Sequence, residues 1–215
     1  MQYGNMNQQI IPAEQKNPPP DIRISLASAS PQRSAMLSGL GFPLLQRPQH
    51  IDESLVSDRI DEEALRLARL KAESCLSGKD HGRWILGVDT LVGIGSQILG
   101  KPADRDEARE TLIALEGEIH TVWSGIVLLD TLGQRSAMKA VCTEVAFSSM
   151  SHEEIEWYLD SGEWDGAAGA YRIQERGALF IHALKGSYHN VVGLPIQTFY
   201  GMLRSFNYPF HMLKR

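Results

Sequence analysis

The chain has 215 residues, 43% of them hydrophobic and 22% charged, which is typical of one folded globular domain or one two-lobed domain. The net charge of −5 argues against broad nucleic-acid binding, and two cysteines are too few for a disulfide framework. No apolar run approaches the roughly 18 to 20 residues that span a bilayer, and the N-terminus lacks a signal-peptide pattern, so we expect a cytoplasmic protein.

Residues 1–20 are rich in Gln and Asn and end in Pro18–Pro20, which predicts a mobile tail before a folded domain over 21–215. Apolar periodicity and end signals then predict alternating strands and helices. In chain order these are strand Ile22–Ala27, helix Gln32–Leu40, a strand near Pro43–Leu45, helix Asp61–Ser77, strands Trp84–Asp89 and Leu91–Ile94, a helix from Asp104 to about Leu115, strands His120–Asp130 and Ser136–Ser148, helix Glu153–Ser161, strand Ala178–Ala183 and helix Pro195–Phe206.

The order of these elements predicts the fold class. Strands intermix with helices, and two long strands follow one another along the chain, so we expect an α/β fold with a mixed sheet. Two helix starts also show capping-box spacing, with Asp104 before Glu107 and Ser151 before Glu154.

The segment LASASPQR, residues 26–33, predicts a phosphate site at a helix start. A strand delivers the hydroxyls of Ser28 and Ser30 to a helix N-terminus, and Pro31 suits the first helical position. Backbone N–H groups, two hydroxyls and the guanidinium of Arg33 would converge there on an anion. The alternative is that Ser30 only caps the helix.

Two acids and two lysines are further candidates. Asp89 lies between apolar stretches, where a carboxylate is costly unless it is paired or binds a metal, and Glu53 follows Asp52 in a loop. Lys71 lies at the edge of a helical apolar stripe, and Lys101 lies in a stiff Gly-Lys-Pro turn. The alternatives are a solvated acidic pair, a snorkelling lysine and a structural ion pair.

The C-terminal third contains two segments dense in small residues, AGAYRIQ at 168–174 and GSYHNVVGLP at 186–195. Such segments indicate backbone packed closely against a ligand or a strand. Gln174 could read a base edge with its paired donor and acceptor, or could be a surface amide. Taken together, the hydroxyls, cations and acids match a triphosphate site with Mg²⁺ or Mn²⁺.

These blocks closely resemble the Maf family of nucleotide pyrophosphatases. The family pattern runs LASxSPRR, an acidic pair, ARxKA, ADT, LGKP, AGxYxIQ and GSYxxVVGLP, and the chain carries every block in order over about residues 22–206. The resemblance implies a mixed sheet in two lobes around a deep cleft, related to inosine-triphosphate pyrophosphatases, and a homodimer. It also implies hydrolysis of a nucleoside triphosphate to the monophosphate and pyrophosphate.

The resemblance also assigns roles. Asp89 matches the catalytic acid that accepts a proton from the attacking water, and Glu53 matches a second catalytic acid. Both are the expected ligands of Mg²⁺ or Mn²⁺. The phosphate-binding positions are Ser28, Ser30, Arg33, Lys71 and Lys101.

The subclass follows from three positions. Thr90 after the catalytic Asp and Gln174 in the IQ pair resemble the enzymes that act on dTTP and UTP rather than those favouring 7-methyl-GTP. Gln32 departs from the pattern, because the usual SPRR reads SPQR here, and this position is linked to base choice. Arg172, in place of the common Gly, is expected to matter less.

Two other functions remain open at this stage. A nucleotide-binding regulator of septum formation would need the cations but not both acids, so Glu53 and Asp89 favour catalysis. A purine triphosphate pyrophosphatase acting on ITP or XTP would share the fold, and a substrate panel separates it from a dTTP/UTP enzyme. Nucleic-acid binding is a poor third, because the chain is acidic overall.

Overall fold

A computed structural model describes residues 21–78 and 80–213, so the predicted tail of residues 1–20 lies outside the described part. The strands and helices are β1 Ile24–Leu26, α1 Pro31–Gly39, β2 Leu44–Gln46, α2 Ile60–Leu76, β3 Trp84–Ile94, β4 Gln97–Leu99, α3 Arg105–Leu115, β5 Ile119–Asp130, β6 Arg135–Phe147, α4 His152–Asp160, β7 Ile181–Lys185, α5 Tyr188–Val192 and α6 Ile196–Ser205. Short 3₁₀ segments occur at Ala168–Ala170, Arg176–Phe180 and Phe210–Met212.

The sheet is mixed, as the order of elements predicts. Its strands follow the order β2-β1-β3-β5-β6-β7, with β4 paired to β3 outside this path. β1 is parallel to β2 and β3, whereas β3, β5, β6 and β7 pair antiparallel. The parallel part comes from crossovers through α1 and α2, and the antiparallel part from the long β5–β6 hairpin.

The apolar core divides into two main clusters, which correspond to the expected two lobes. One cluster contains Val88 with residues of β1, α1 and α6, and the other contains Val92 with residues of α3 and α4. β3 therefore runs through both lobes, and Asp89 and Thr90 lie on the stretch of strand between them.

Helix α2 packs directly on the backbone of β3 and β5 because glycines leave room for it. A Cβ atom at Gly87 would lie 2.2 Å from the Ala68 carbonyl oxygen, and one at Gly125 would lie 2.0 Å from that of Ala64. No side chain fits in this space. The close approach brings the buried face of α2, which includes Lys71, against the middle of β3.

Several predicted boundaries are wrong. The strands predicted at Trp84–Asp89 and Leu91–Ile94 are one strand, because Thr90 stays in the ladder opposite Ser124 and its hydroxyl is paired there. Of the strand predicted at Ala178–Ala183, only the part from Ile181 is extended, and the first residues form a 3₁₀ turn. Strand β4 and helix α5 were not predicted.

The two predicted caps have different outcomes. Ser151 and Glu154 form a reciprocal capping box at the start of α4, as predicted. Asp104 caps α3, but the carboxylate of Glu107 accepts from the Ala103 N–H instead of the Asp104 N–H, so that box is not reciprocal. Within the described residues, none of the helices is long and apolar enough to cross a membrane.

Candidate active site

A cleft of about 400 Å³ opens where β1 ends and β3 continues. The β1–β3 ladder ends at Leu26 opposite Leu86, so β3 has no β1 neighbour at Asp89 and Thr90. Side chains on both faces of β3 reach the cleft there, at the carboxyl end of a parallel strand, where α/β proteins commonly bind ligands. All of the predicted site residues line this cleft: Ser28, Ser30, Gln32, Arg33, Glu53, Lys71, Asp89, Thr90, Lys101 and Gln174.

The segment after β1 forms a tight turn into α1. Ser30 is the N-cap, and its hydroxyl accepts from the Arg33 N–H at 3.3 Å, so the capping role considered for Ser30 is present. The Ser28 hydroxyl accepts from the Ser30 N–H at 3.2 Å, and Ser30 donates to Oε1 of Gln32 at 3.2 Å. The turn therefore aims two hydroxyls and the start of a helix at the cleft.

Arg33 is buried with only neutral oxygens as direct hydrogen-bond partners. Its guanidinium donates to the Gly193 carbonyl at 2.8 Å, to Ser28 Oγ at 2.9 Å and to Thr90 Oγ1 at 2.9 Å. Burial of the guanidinium lowers the pKa of Arg33, whereas the negative charges of Asp89 and Glu53 act to raise it. Because these bonds use three of the five guanidinium N–H groups, two remain for a ligand.

The Gly193 carbonyl that accepts from Arg33 depends on a left-handed backbone. Gly193 ends α5 with φ 118°, a conformation that residues with a side chain rarely adopt. This turn points its carbonyl back at the guanidinium. The GLP end of the GSYHNVVGLP segment thus orients the side chain that Arg33 extends from α1.

Lys71 joins the two predicted catalytic acids. Its ammonium lies 2.5 Å from Asp89 Oδ1 and 2.7 Å from Glu53 Oε1. The side chains of Lys71 and Asp89 are 8% and 9% exposed, whereas that of Glu53 is 45% exposed. Lys71 is therefore buried in an ion pair, not snorkelling to solvent as lysines at such positions often do.

Glu53 lies between two lysines at the mouth of the cleft. Partial burial raises its pKa, but the hydrogen bond and charge of Lys71, with Lys101 and Arg33, lower it below the usual value overall. Lys101 is the more distant partner, 4.0 Å from Glu53 Oε2, and is 60% exposed. Glu53 is thus ionised at neutral pH, and Lys101 is free to move toward a ligand.

The residues predicted to choose the base lie on different parts of the cleft. Thr90 takes part in a hydroxyl pair with Ser124 at 2.8 Å, next to Arg33. Gln32 is half-buried in the first turn of α1, and Gln174 is exposed on the opposite wall. The cleft brings these residues together, but their role in base choice stays a prediction.

Sequence reasoning missed one residue that shapes the site and gave too little weight to another. Ser124 is buried on β5 and holds the Thr90 hydroxyl, which only the β3–β5 register reveals. Arg172, considered minor, donates to the carbonyls of Glu163 and Asp165 at 2.7 and 2.5 Å. These bonds hold the loop that leads to the cleft wall at 166–168. The signal in the sequence was that an arginine occupies a position where the family pattern usually has Gly.

Glu53 and Asp89 fit a metal that binds together with the substrate phosphates better than a metal held by protein ligands alone. Among residues 21–78 and 80–213, no group of three or more His, Cys, Asp or Glu side chains could hold a metal. Mg²⁺ commonly binds through one or two carboxylates together with substrate phosphates and water. Glu53 and Asp89 supply such a pair, with Lys71 as the cation between them.

The charge pattern of the cleft suits a polyphosphate. Three cations and a helix N-terminus surround a buried carboxylate in a site partly shielded from water, where electrostatic interactions are stronger. The arrangement can bind phosphate oxygens and hold a water molecule against Asp89.

Comparisons with known proteins match a family model, several relatives and a solved structure. The family model described as "Maf-like protein" matches residues 23–206. The chain is 43% identical over 178 residues to a dTTP/UTP pyrophosphatase of Syntrophotalea carbinolica, covering 82% of this chain and 81% of that protein. It is 40% identical over 192 residues to a dTTP/UTP pyrophosphatase of Clostridium acetobutylicum, covering 85% and 96%. A solved structure of a HAM1 protein from Coxiella burnetii matches with a TM-score of 0.46 at 16% identity, covering 86% of this chain and 100% of that one.

Proposed function

This chain belongs to the Maf family, and on that basis we propose that it hydrolyses dTTP and UTP to the nucleoside monophosphate and pyrophosphate. Support for the substrate comes from the relatives named dTTP/UTP pyrophosphatase, which match most of the chain. The observation that carries the reaction is the buried Lys71–Asp89 pair in a cleft that Glu53 also faces. A binding protein would need the cations of the cleft but not both carboxylates.

In this proposal Asp89 orients the attacking water and accepts its proton. Its carboxylate is paired with the Lys71 ammonium, and it lies at the cleft on a central strand of the sheet. Water directed by Asp89 attacks the α-phosphorus, the bond to the bridging oxygen breaks, and pyrophosphate leaves. Such displacement depends mainly on positioning and charge stabilisation.

The cations neutralise the phosphate oxygens. Arg33 offers its two remaining N–H groups from a fixed orientation, while Lys71 and Lys101 act as point charges. The hydroxyls of Ser28 and Ser30 and the α1 N-terminus complete the phosphate site. All of these groups lie around one cleft, which supports their joint action.

Metal dependence is part of the proposal. Glu53 and Asp89 would hold Mg²⁺ or Mn²⁺ together with the phosphates of the nucleotide. A bound metal would supply charge stabilisation for the phosphate oxygens and the leaving pyrophosphate. Lys71 would then share these carboxylates with the metal, and its ammonium could interact with a phosphate.

The proposed base preference depends on Thr90, Gln174 and Gln32. Gln174 is exposed on the cleft wall and can both donate to and accept from a pyrimidine edge. Gln32 keeps donors but carries no charge, so we expect weaker phosphate binding than an arginine would give, without a change in reaction.

The test is pyrophosphate release with Mg²⁺ or Mn²⁺ from dTTP, UTP, CTP, 7-methyl-GTP and ITP. We expect dTTP and UTP to be the best substrates, Asp89→Asn to lose at least about 10³-fold in kcat, and chelation of the metal to stop turnover. If pyrophosphate is released chiefly from ITP, the assignment of dTTP and UTP is wrong and a purine triphosphate pyrophosphatase replaces it. A folded wild-type protein that releases no pyrophosphate from any of the five would refute the proposal.

A further inference from the structure

The carboxylate of Glu63 is fully buried and lies outside the catalytic cleft. Glu63, in the first turn of α2, is 0% exposed, and none of the proposed catalytic steps uses it. A buried carboxylate is costly unless it is paired and hydrogen-bonded, so its partners indicate what it holds in place.

The partners of Glu63 join α2 to the loop that follows Glu53. Glu63 Oε1 accepts from the Val56 N–H at 3.3 Å, and the guanidinium of Arg66 donates to both carboxylate oxygens, at 2.5 and 3.0 Å. The same Arg66 Nη2 donates to the Ser54 carbonyl at 2.8 Å. Two backbone groups within three residues of Glu53 are thus bound by one side-chain pair.

Glu53 needs such support because its segment has no regular structure. Residues 47–59 connect β2 to α2 without helix or strand, so their backbone must be fixed by other contacts. The Glu53 carboxylate meets Lys71, which lies two turns beyond Glu63 on the same helix face. One helix therefore holds both the loop backbone and the Glu53 side chain.

We infer that Glu63 and Arg66 form a clamp whose role is to position Glu53 over the cleft. They are positioning residues, because they contact the Glu53 loop and not the phosphates or the attacking water. The Arg66 fork is the central part, since a single planar group reaches the Glu63 carboxylate and the Ser54 carbonyl together. The inference rests on the proposed function of Glu53 for its effect on turnover, but not for its effect on the loop.

The first test is a double-mutant cycle with Arg66→Lys and Glu53→Gln. Lysine keeps a charge beside Glu63 but lacks the fork, so we expect kcat to fall about tenfold with little change in KM. In the Glu53→Gln background the same substitution should change kcat less than twofold, because there is no carboxylate left to position. A merely structural role would lower activity equally in both backgrounds, and that result would overturn the inference.

The matched control is Arg69→Lys on the same helix. Arg69 is 59% exposed and forms an i,i+4 pair with Glu73 away from the loop, so this variant should keep wild-type kcat. If Arg66→Lys does not fold, the double variant Glu63→Gln/Arg66→Gln takes its place, because it leaves no unpaired buried charge and still removes the guanidinium.

The second test does not depend on activity. Hydrogen exchange of the peptide containing the Val56 amide should be at least tenfold faster in Arg66→Lys than in wild type, with β3 and β5 unchanged. Unchanged exchange at residues 54–57 would overturn the clamp even if activity fell. A wild-type protein that releases no pyrophosphate would instead refute the proposed function, and the exchange experiment alone would then decide on the clamp.

Discussion

Replacing Lys71 by Met tests how strongly the buried ammonium holds together the two acids that we propose to be catalytic. Methionine keeps an unbranched chain in the buried face of α2 but removes the charge. The Asp89 and Glu53 oxygens each lie within 2.7 Å of the Lys71 ammonium, so the two oxygens are at most about 5 Å apart. The variant therefore places two negative charges together with no cation between them.

The expected cost follows from this geometry. At an effective dielectric constant of about 20, two like charges about 5 Å apart repel by roughly 3 kcal/mol. Loss of one partner from a buried pair typically costs 3 to 5 kcal/mol, and the half-exposed Glu53 relieves part of that by turning to water. We expect a loss of about 3 kcal/mol in unfolding free energy, which lowers the Tm by roughly 6 to 12 °C for a domain of this size.

Urea denaturation at pH 7 without metal measures this loss, with Lys101→Met as the control. Lys101 is 60% exposed and lies 4.0 Å from Glu53, so its variant should lose less than about 0.5 kcal/mol. Millimolar Mn²⁺ should restore part of the stability of Lys71→Met, because the freed carboxylates then bind the ion. A loss below about 1 kcal/mol for Lys71→Met, or equal losses for both lysines, would refute the reasoning.

Three further predictions concern stability and substrate choice. Burial lowers the pKa of His120 to about 4, whereas a histidine in the unfolded chain has a pKa of about 6.5, so the unfolded chain takes up the proton first as the pH falls. The contribution of His120 to stability is therefore complete above pH 6.5 and falls by roughly 3 kcal/mol toward pH 4. His120→Gln should remove this part of the pH dependence in urea titrations. Gly125→Ala should lower the free energy of unfolding by at least about 3 kcal/mol, because its Cβ would lie 2.0 Å from the Ala64 carbonyl oxygen. Gly39→Ala is the control and should be neutral or stabilising, because there is open space around it. Equal stabilities of the two variants would contradict this prediction. Gln174→Glu should lower kcat/KM for dTTP and UTP about tenfold, because a carboxylate cannot donate to the base, and an unchanged substrate panel would remove Gln174 from base choice.

Much of the fold follows from local signals in the sequence. The apolar stripe of α2 and the Ser151–Glu154 box set their helices to within a residue or two, because these signals act within one turn. The sequence could not predict the continuity of β3 through Thr90, since the partners of its hydroxyl, Ser124 across the ladder and Arg33 on α1, are brought together only by the fold. Strand β4 is only three residues long and has no pattern of its own.

The candidate site was recognisable from motifs, but its internal contacts were not. Each predicted site residue lines the cleft, although these residues come from segments as distant as Ser28 and Gln174. The burial of Lys71 between Asp89 and Glu53 depends on how closely α2 approaches β3, which the glycine at 87 allows. Pair distances of this kind arise from tertiary packing, which motif spacing does not encode.

The most direct test of the central claim is hydrolysis of dTTP in ¹⁸O-labelled water, followed by mass spectrometry of both products. The account predicts one ¹⁸O atom in the thymidine monophosphate and none in pyrophosphate, because water held by Asp89 attacks the α-phosphorus. Label in pyrophosphate, or release of inorganic phosphate in its place, would contradict the account.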